Sequence, residues 1–162
     1  MNRLILTTAV AGVLALAGTG CGSDDDQEPQ GASGGISAAP QSGSSTPRAY
    51  ESFQLPSRNI ACAMGKPGYA RCDVRQKTFT SPAKPANCPL DFGSAVAVQG
   101  KKPGKFICIG DTVMNPGAPV LKYGEDSVVG FFSCSSTTVG VICRNRQTGH
   151  GFFLAREKFR VF

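Results

Sequence analysis

Six cysteines between residues 62 and 143 restrict this chain more than any other feature, because four of them sit in short segments of alternating polarity. Asn59-Ile60-Ala61-Cys62-Ala63-Met64 puts Ile60, Cys62 and Met64 on one face of a strand. After Gly65-Lys66-Pro67-Gly68, the segment Ala70 to Val74 puts Ala70, Cys72 and Val74 on one face. Later, Phe132 and Cys134 share a face, as do Val139, Val141 and Cys143. Each hairpin thus carries one cysteine on the inward face of each strand, where cross-strand side chains meet. Six cysteines allow fifteen pairings, and the simplest is sequential. Hairpin geometry supports Cys62–Cys72 and Cys134–Cys143, which leaves Cys88–Cys108 by elimination. A metal site would need close C-x-x-C pairs or clustered histidines; the chain has neither, and His150 is its one histidine, so no metal or other cofactor is expected.

The rest of residues 48–162 agrees with an all-β domain. All ten Phe of the chain lie there, and Val and Ile together outnumber Leu, a balance suited to strands. Gly and Pro interrupt every stretch long enough for a helix. A third hairpin is expected from Ala95–Gln99 and Lys105–Ile109 around Gly100 to Gly104, and a short strand over Val120–Tyr123. Gly151 to Arg156 should return as a meander, with Lys158–Phe162 as an edge strand. The expected architecture is a small antiparallel, disulfide-bonded sandwich or barrel. The two cysteine hairpins also look alike, I-A-C-A-M with A-R-C-D against F-S-C-S-S with V-I-C-R, as a duplication would leave them.

The seventh cysteine has a different setting. Residues 1–21 have the parts of an export signal: Arg3, the apolar run Leu4 to Ala17, then Ala17-Gly18-Thr19-Gly20-Cys21. This ending resembles a lipobox, with Gly18 where Leu is usual, and implies a diacylglyceryl thioether on Cys21. The competing cut is an A-x-A site at Ala15-Leu16-Ala17, which would release a secreted protein. Cysteine parity favours the lipid, since a chain starting after Ala17 would carry one thiol too many. Residues 22–47 are Gly, Ser, Pro and acid and bury too little to fold, so they are expected to be a tether spanning roughly 30 Å. The expected location is therefore outside the cytoplasm, on the outer face of the cell membrane.

Residues 48–162 hold sixteen Lys and Arg against seven Asp and Glu, a surplus of nine. Outside the cytoplasm such a domain would meet anionic envelope glycans, lipid headgroups or an acidic protein rather than nucleic acid. It is expected to act as a monomer. Candidate binding residues are His150, in Thr148-Gly149-His150-Gly151; Tyr123, ahead of Gly124; Asp111, after the Lys105–Ile109 strand; and Arg144 and Arg146, both expected in a turn. No catalytic residue is expected, and the leading reading is a non-enzymatic binding or structural lipoprotein. Two alternatives stand beside it. One is a hydrolase or ribonuclease-like enzyme using His150 with Arg144, Arg156 and Glu157. The other is a protease-inhibitor-like module presenting Thr78 to Asn87, held extended by its prolines.

Several runs carry a family resemblance: Phe53-Gln54-Leu55-Pro56-Ser57-Arg58-Asn59-Ile60-Ala61-Cys62, Gly110-Asp111-Thr112-Val113, Leu121-Lys122-Tyr123-Gly124, and Gly140-Val141-Ile142-Cys143-Arg144-Asn145 with Thr148-Gly149-His150-Gly151-Phe152. Together they resemble an uncharacterised domain of actinobacterial secreted proteins and lipoproteins. Arg58 stands where that pattern more often has Gly. The resemblance implies an exported domain of unknown function and supplies no catalytic residue.

Overall fold

A computed structural model describes residues 46–65 and 68–162. The expected signal segment, Cys21 and the tether up to residue 45 lie outside the described residues, as does the Lys66-Pro67 step of the first hairpin turn. The described chain is all-β: β1 (Ser52–Gln54), β2 (Ile60–Gly65), β3 (Tyr69–Val74), β4 (Asp91–Gln99), β5 (Lys105–Ile109), β6 (Asp126–Val129), β7 (Phe132–Thr137), β8 (Gly140–Asn145), β9 (Gly151–Leu154) and β10 (Phe159–Val161). The strands form two antiparallel meanders, β1-β2-β3-β4-β5 and β10-β9-β8-β7-β6. Their inner faces pack with β3 and β4 over β7, β8 and β9.

Each meander is closed by a disulfide between its second and third strands. Cys62 lies directly opposite Cys72, with Cα atoms 4.0 Å apart. Cys134 lies opposite Cys143, at 4.1 Å. All four are fully buried, and the two bridges touch across the interface, Cys72 Sγ to Cys143 Sγ being 3.5 Å. The third bridge, Cys88–Cys108, ties the segment before β4 to β5. The pairing in the structure is thus sequential. Around the stacked bridges lie Phe53, Leu55, Val96, Leu121, Phe152 and Leu154, all nearly inaccessible.

The two open sides of the sandwich are closed differently. On one, Phe79, Phe106 and Phe159 gather, Phe106 meeting Phe159 edge-on at 4.7 Å. Beside them the Gly104 amide donates to the Phe162 carbonyl, and a Cβ on Gly104 would collide with the Gly151 carbonyl. On the other, residues 48–50 strap β6: Arg48 bridges Ser127, and Ser127 Oγ donates to the Tyr50 carbonyl while accepting the Tyr50 amide.

Three expectations need correction. Val120–Tyr123 is not a strand; Val120 makes an isolated parallel bridge to Gln54, Leu121 is buried, and Tyr123 stands in a turn. The segment is the end of a crossover from β5 to β6, so tertiary contact rather than a ladder holds its apolar residues. Val139 does not share the inward face of Val141 and Cys143; it tops the two-residue β7–β8 turn and is 64% exposed. Arg144 is not in a turn but on β8, facing solvent.

Candidate functional site

At one end of the sandwich the loops of both sheets leave a cleft of about 470 Å³. Its floor includes the buried side chains of Leu55 and Ile60. Arg58 comes from the β1–β2 loop, Arg75 from the end of β3, Arg156 from the β9–β10 turn, Tyr123 from the crossover and Val139 from the β7–β8 turn.

Local hydrogen bonds explain why these residues converge. The β1–β2 loop is a tight turn in which the Arg58 amide donates to the Leu55 carbonyl and the Leu55 amide to the Ile60 carbonyl. Arg58 has φ 55°, the only positive value at a non-glycine among the described residues. A long side chain in the left-handed region is held there by its surroundings at some cost in strain. Asn59 then clamps this loop to the end of β3. Its Nδ2 donates to the Gln76 carbonyl and its Oδ1 accepts the Gln76 amide, both at 2.9 Å. The Arg75 amide adds a bond to the Asn59 carbonyl. Arg156 is positioned through its carbonyl, which accepts the Thr78 amide.

The charge of the cleft is unbalanced. Among the described residues the ion pairs are Arg48–Glu125, Arg71–Asp73 and Arg71–Asp111, so none involves Arg58, Arg75 or Arg156. Glu157 is the single acid in the lining, and the lining contains no His or Cys. Three arginines without a carboxylate partner among the described residues line this cleft, and a guanidinium holds a phosphate or carboxylate by charge-assisted hydrogen bonds.

The residues singled out from the sequence do not meet in one place. Tyr123 lines the cleft. Asp111 lies beside a second hollow, over the outer face of the first sheet, where Arg71 Nη1 donates to its Oδ1 at 2.7 Å and Nη2 to its carbonyl at 2.9 Å. That bond and the Arg71 charge hold the Asp111 carboxyl below its ordinary range. Burial pulls the Arg71 guanidinium down, but its bonds to Asp73 and Asp111 leave it raised. Asp111 is therefore a clasp for the crossover. Arg144 and Arg146 lie in a shallow hollow with Ser133, Asn145 and Gly149. His150 lines none of these three hollows; its amide donates to Thr148 Oγ1 and its carbonyl accepts the Asn145 amide, as a turn residue's would. Of the ribonuclease-like set, Arg156 and Glu157 reach the cleft while His150 and Arg144 do not.

In the Thr78 to Asn87 segment, Phe79 packs into the aromatic cluster and Ser81 Oγ bonds the Gly93 carbonyl, while Pro82 to Asn87 are exposed. Arg58, Arg75 and Asn59 are the site residues that sequence reasoning missed. An arginine in a tight turn, at a position suited to Gly, was the available signal.

Residues 36–162 match a family of unknown function, DUF6636. The chain belongs to DUF6636. Neither the curated proteins nor the solved structures contain a match to it. The DUF6636 region takes in the whole sandwich and all three bridges, and it begins inside the low-complexity stretch that precedes the first described residue.

Proposed function

We propose that this chain is an exported lipoprotein, held at the membrane through Cys21, whose β domain binds an anionic group without transforming it. The observation that carries the binding role is the convergence of Arg58, Arg75 and Arg156 on one cleft, from three separate loops and with no carboxylate partner among the described residues. The three disulfides support an oxidising compartment, and the lipobox-like Cys21 supports the attachment. The ligand chemistry is a phosphate or carboxylate. Leu55, Ile60 and Val139 suit a small apolar body beside it.

Calorimetric titration of the processed protein with inorganic phosphate and with a uronic acid, at low ionic strength, tests the cleft. Saturable binding is expected, weakened about tenfold or more by Arg58→Gln or Arg156→Gln, since a hydrogen bond to a charged group contributes roughly 1.5–3 kcal/mol. Arg144→Gln at the far end should leave it unchanged. Absence of saturable binding, or equal loss in all three variants, would refute the site. Mass measurement of the mature N-terminus tests the attachment: an unmodified chain beginning at Gly18 would refute lipidation.

A further inference from the structure

We infer that the anionic groups this cleft meets are the headgroups of the bilayer itself, so that the cleft end of the domain docks on the membrane; the inference rests on the lipid-anchored, anion-binding reading above. Three observations converge on that end. First, its rim is apolar as well as basic. Val139 is 64% exposed on the β7–β8 turn and Tyr123 is 44% exposed opposite, so both can enter the interfacial layer while the arginines reach phosphates. Second, lysines flank the lining residues in sequence, Lys77 after Gln76, Lys122 before Tyr123 and Lys158 after Glu157; Lys77 and Lys158 rest over the Phe79 and Phe153 rings and add to the positive field around the cleft rather than to its lining. Of the neighbouring acids, Glu125 is already paired with Arg48.

Third, the chain enters the domain there. The Arg48 amide donates to the Asp126 carbonyl, and the Arg48 guanidinium holds Glu125, whose other oxygen accepts the Lys122 amide beside Tyr123. The segment that leads back to Cys21 therefore joins the sandwich at the cleft end. The far end carries an exposed Phe131 near Arg146, but its hollow is smaller, about 290 Å³, and the described chain does not enter there. Each basic residue close to an anionic surface strengthens partitioning roughly fivefold.

The chain contains no Trp, so Val139→Trp or Phe131→Trp installs a single reporter at either end. The processed, lipidated variants are reconstituted into phosphatidylcholine vesicles with and without phosphatidylglycerol, including brominated acyl chains as quenchers. The Val139→Trp fluorescence is expected to shift to the blue and to be quenched only with phosphatidylglycerol. High salt and the combined Arg58→Gln, Arg75→Gln, Arg156→Gln change should each reverse it, while the Phe131→Trp fluorescence stays that of water. An unshifted Val139→Trp signal, or quenching at residue 131 instead, overturns the docking. Inorganic phosphate separates the two readings. Phosphate binding with an unshifted reporter leaves the anion cleft standing and removes the bilayer as its occupant. Salt-sensitive quenching without phosphate binding sustains the docking and removes the cleft as a site for a free anion.

Discussion

The two sheets repeat one plan and then diverge on their outer faces. In each, five strands follow one another in chain order, and a disulfide joins the second strand to the third at directly opposed positions. Equivalent neighbours flank the bridges: Phe53 and Val96 beside Cys62 and Cys72, Ser127 and Phe152 beside Cys134 and Cys143. The second sheet leaves its outer face to solvent, with Ser133, Ser135, Ile142, Arg144 and Phe153 half-buried or exposed. The first is largely covered on both faces over β2, β3 and β4. Its outer positions are Ala61, Ala95 and Ala97, together with Arg71 and Asp73. The connection from β5 to β6 runs across this face to reach the β1 edge, and the alanines let its backbone lie close. Gln54 Nε2 donates to the Pro116 and Ala118 carbonyls, and Asp73 accepts from Thr112 Oγ1 and the Val113 amide. A plan used twice thus becomes asymmetric through one long connection and the ion pair that pins it.

The largest test of that difference is Asp73→Ala. Arg71 meets Asp73 through two bonds, at 2.8 and 3.0 Å, with both side chains largely buried. Removing the carboxylate leaves the buried guanidinium with Asp111 alone and takes the acceptor from Thr112 Oγ1 and the Val113 amide, and should cost about 3 kcal/mol in a denaturant titration. Ser135→Ala, on the solvent face of the other sheet, should stay within about 0.5 kcal/mol. Equal effects would mean that the crossover covers nothing of consequence.

A smaller effect comes from pH. Arg71 holds Asp111 below its ordinary value, so the folded state gains stability from this carboxylate above its unfolded pKa and loses it as pH falls through the folded one. Asp111→Asn should therefore be less stable than the parent at neutral pH, with the gap closing toward about pH 3. Denaturation midpoints across that range check it; a constant gap would show that the charge is not what holds the crossover.

The smallest effect is expected on the inner face of the second sheet, where Ser136 Oγ is buried and has no hydrogen-bond partner among the described residues. Ser136→Ala removes an unsatisfied hydroxyl and should be neutral or stabilising by up to about 1 kcal/mol. A clear loss in thermal midpoint would reveal a partner for that hydroxyl.

Where alternation was strong, the sequence was sufficient. β2, β3, β5 and β8 and the Cys62–Cys72 and Cys134–Cys143 pairs follow from local polarity and opposed cysteines, because a strand's period of two places every other side chain inward whatever lies beyond; Cys88–Cys108 followed only by elimination. β1 and β6 were not legible: they are three and four residues long and hold by pairing with distant partners. The buried Arg71–Asp73 pair looked like any polar step on a strand, since only the crossover buries it.

The candidate site divides the same way. Sequence singled out Tyr123 as a residue suited to a surface, but it also favoured His150, Asp111, Arg144 and Arg146, which the fold scatters. What the sequence determined by itself was an all-β domain with the four hairpin cysteines inward and a surplus of positive charge. Which of those charges line one cleft was decided by tertiary structure alone. Arg58, Arg75 and Arg156 lie as much as 98 residues apart, and only the packing of two sheets, with the Asn59 clamp, brings their loops to one cleft.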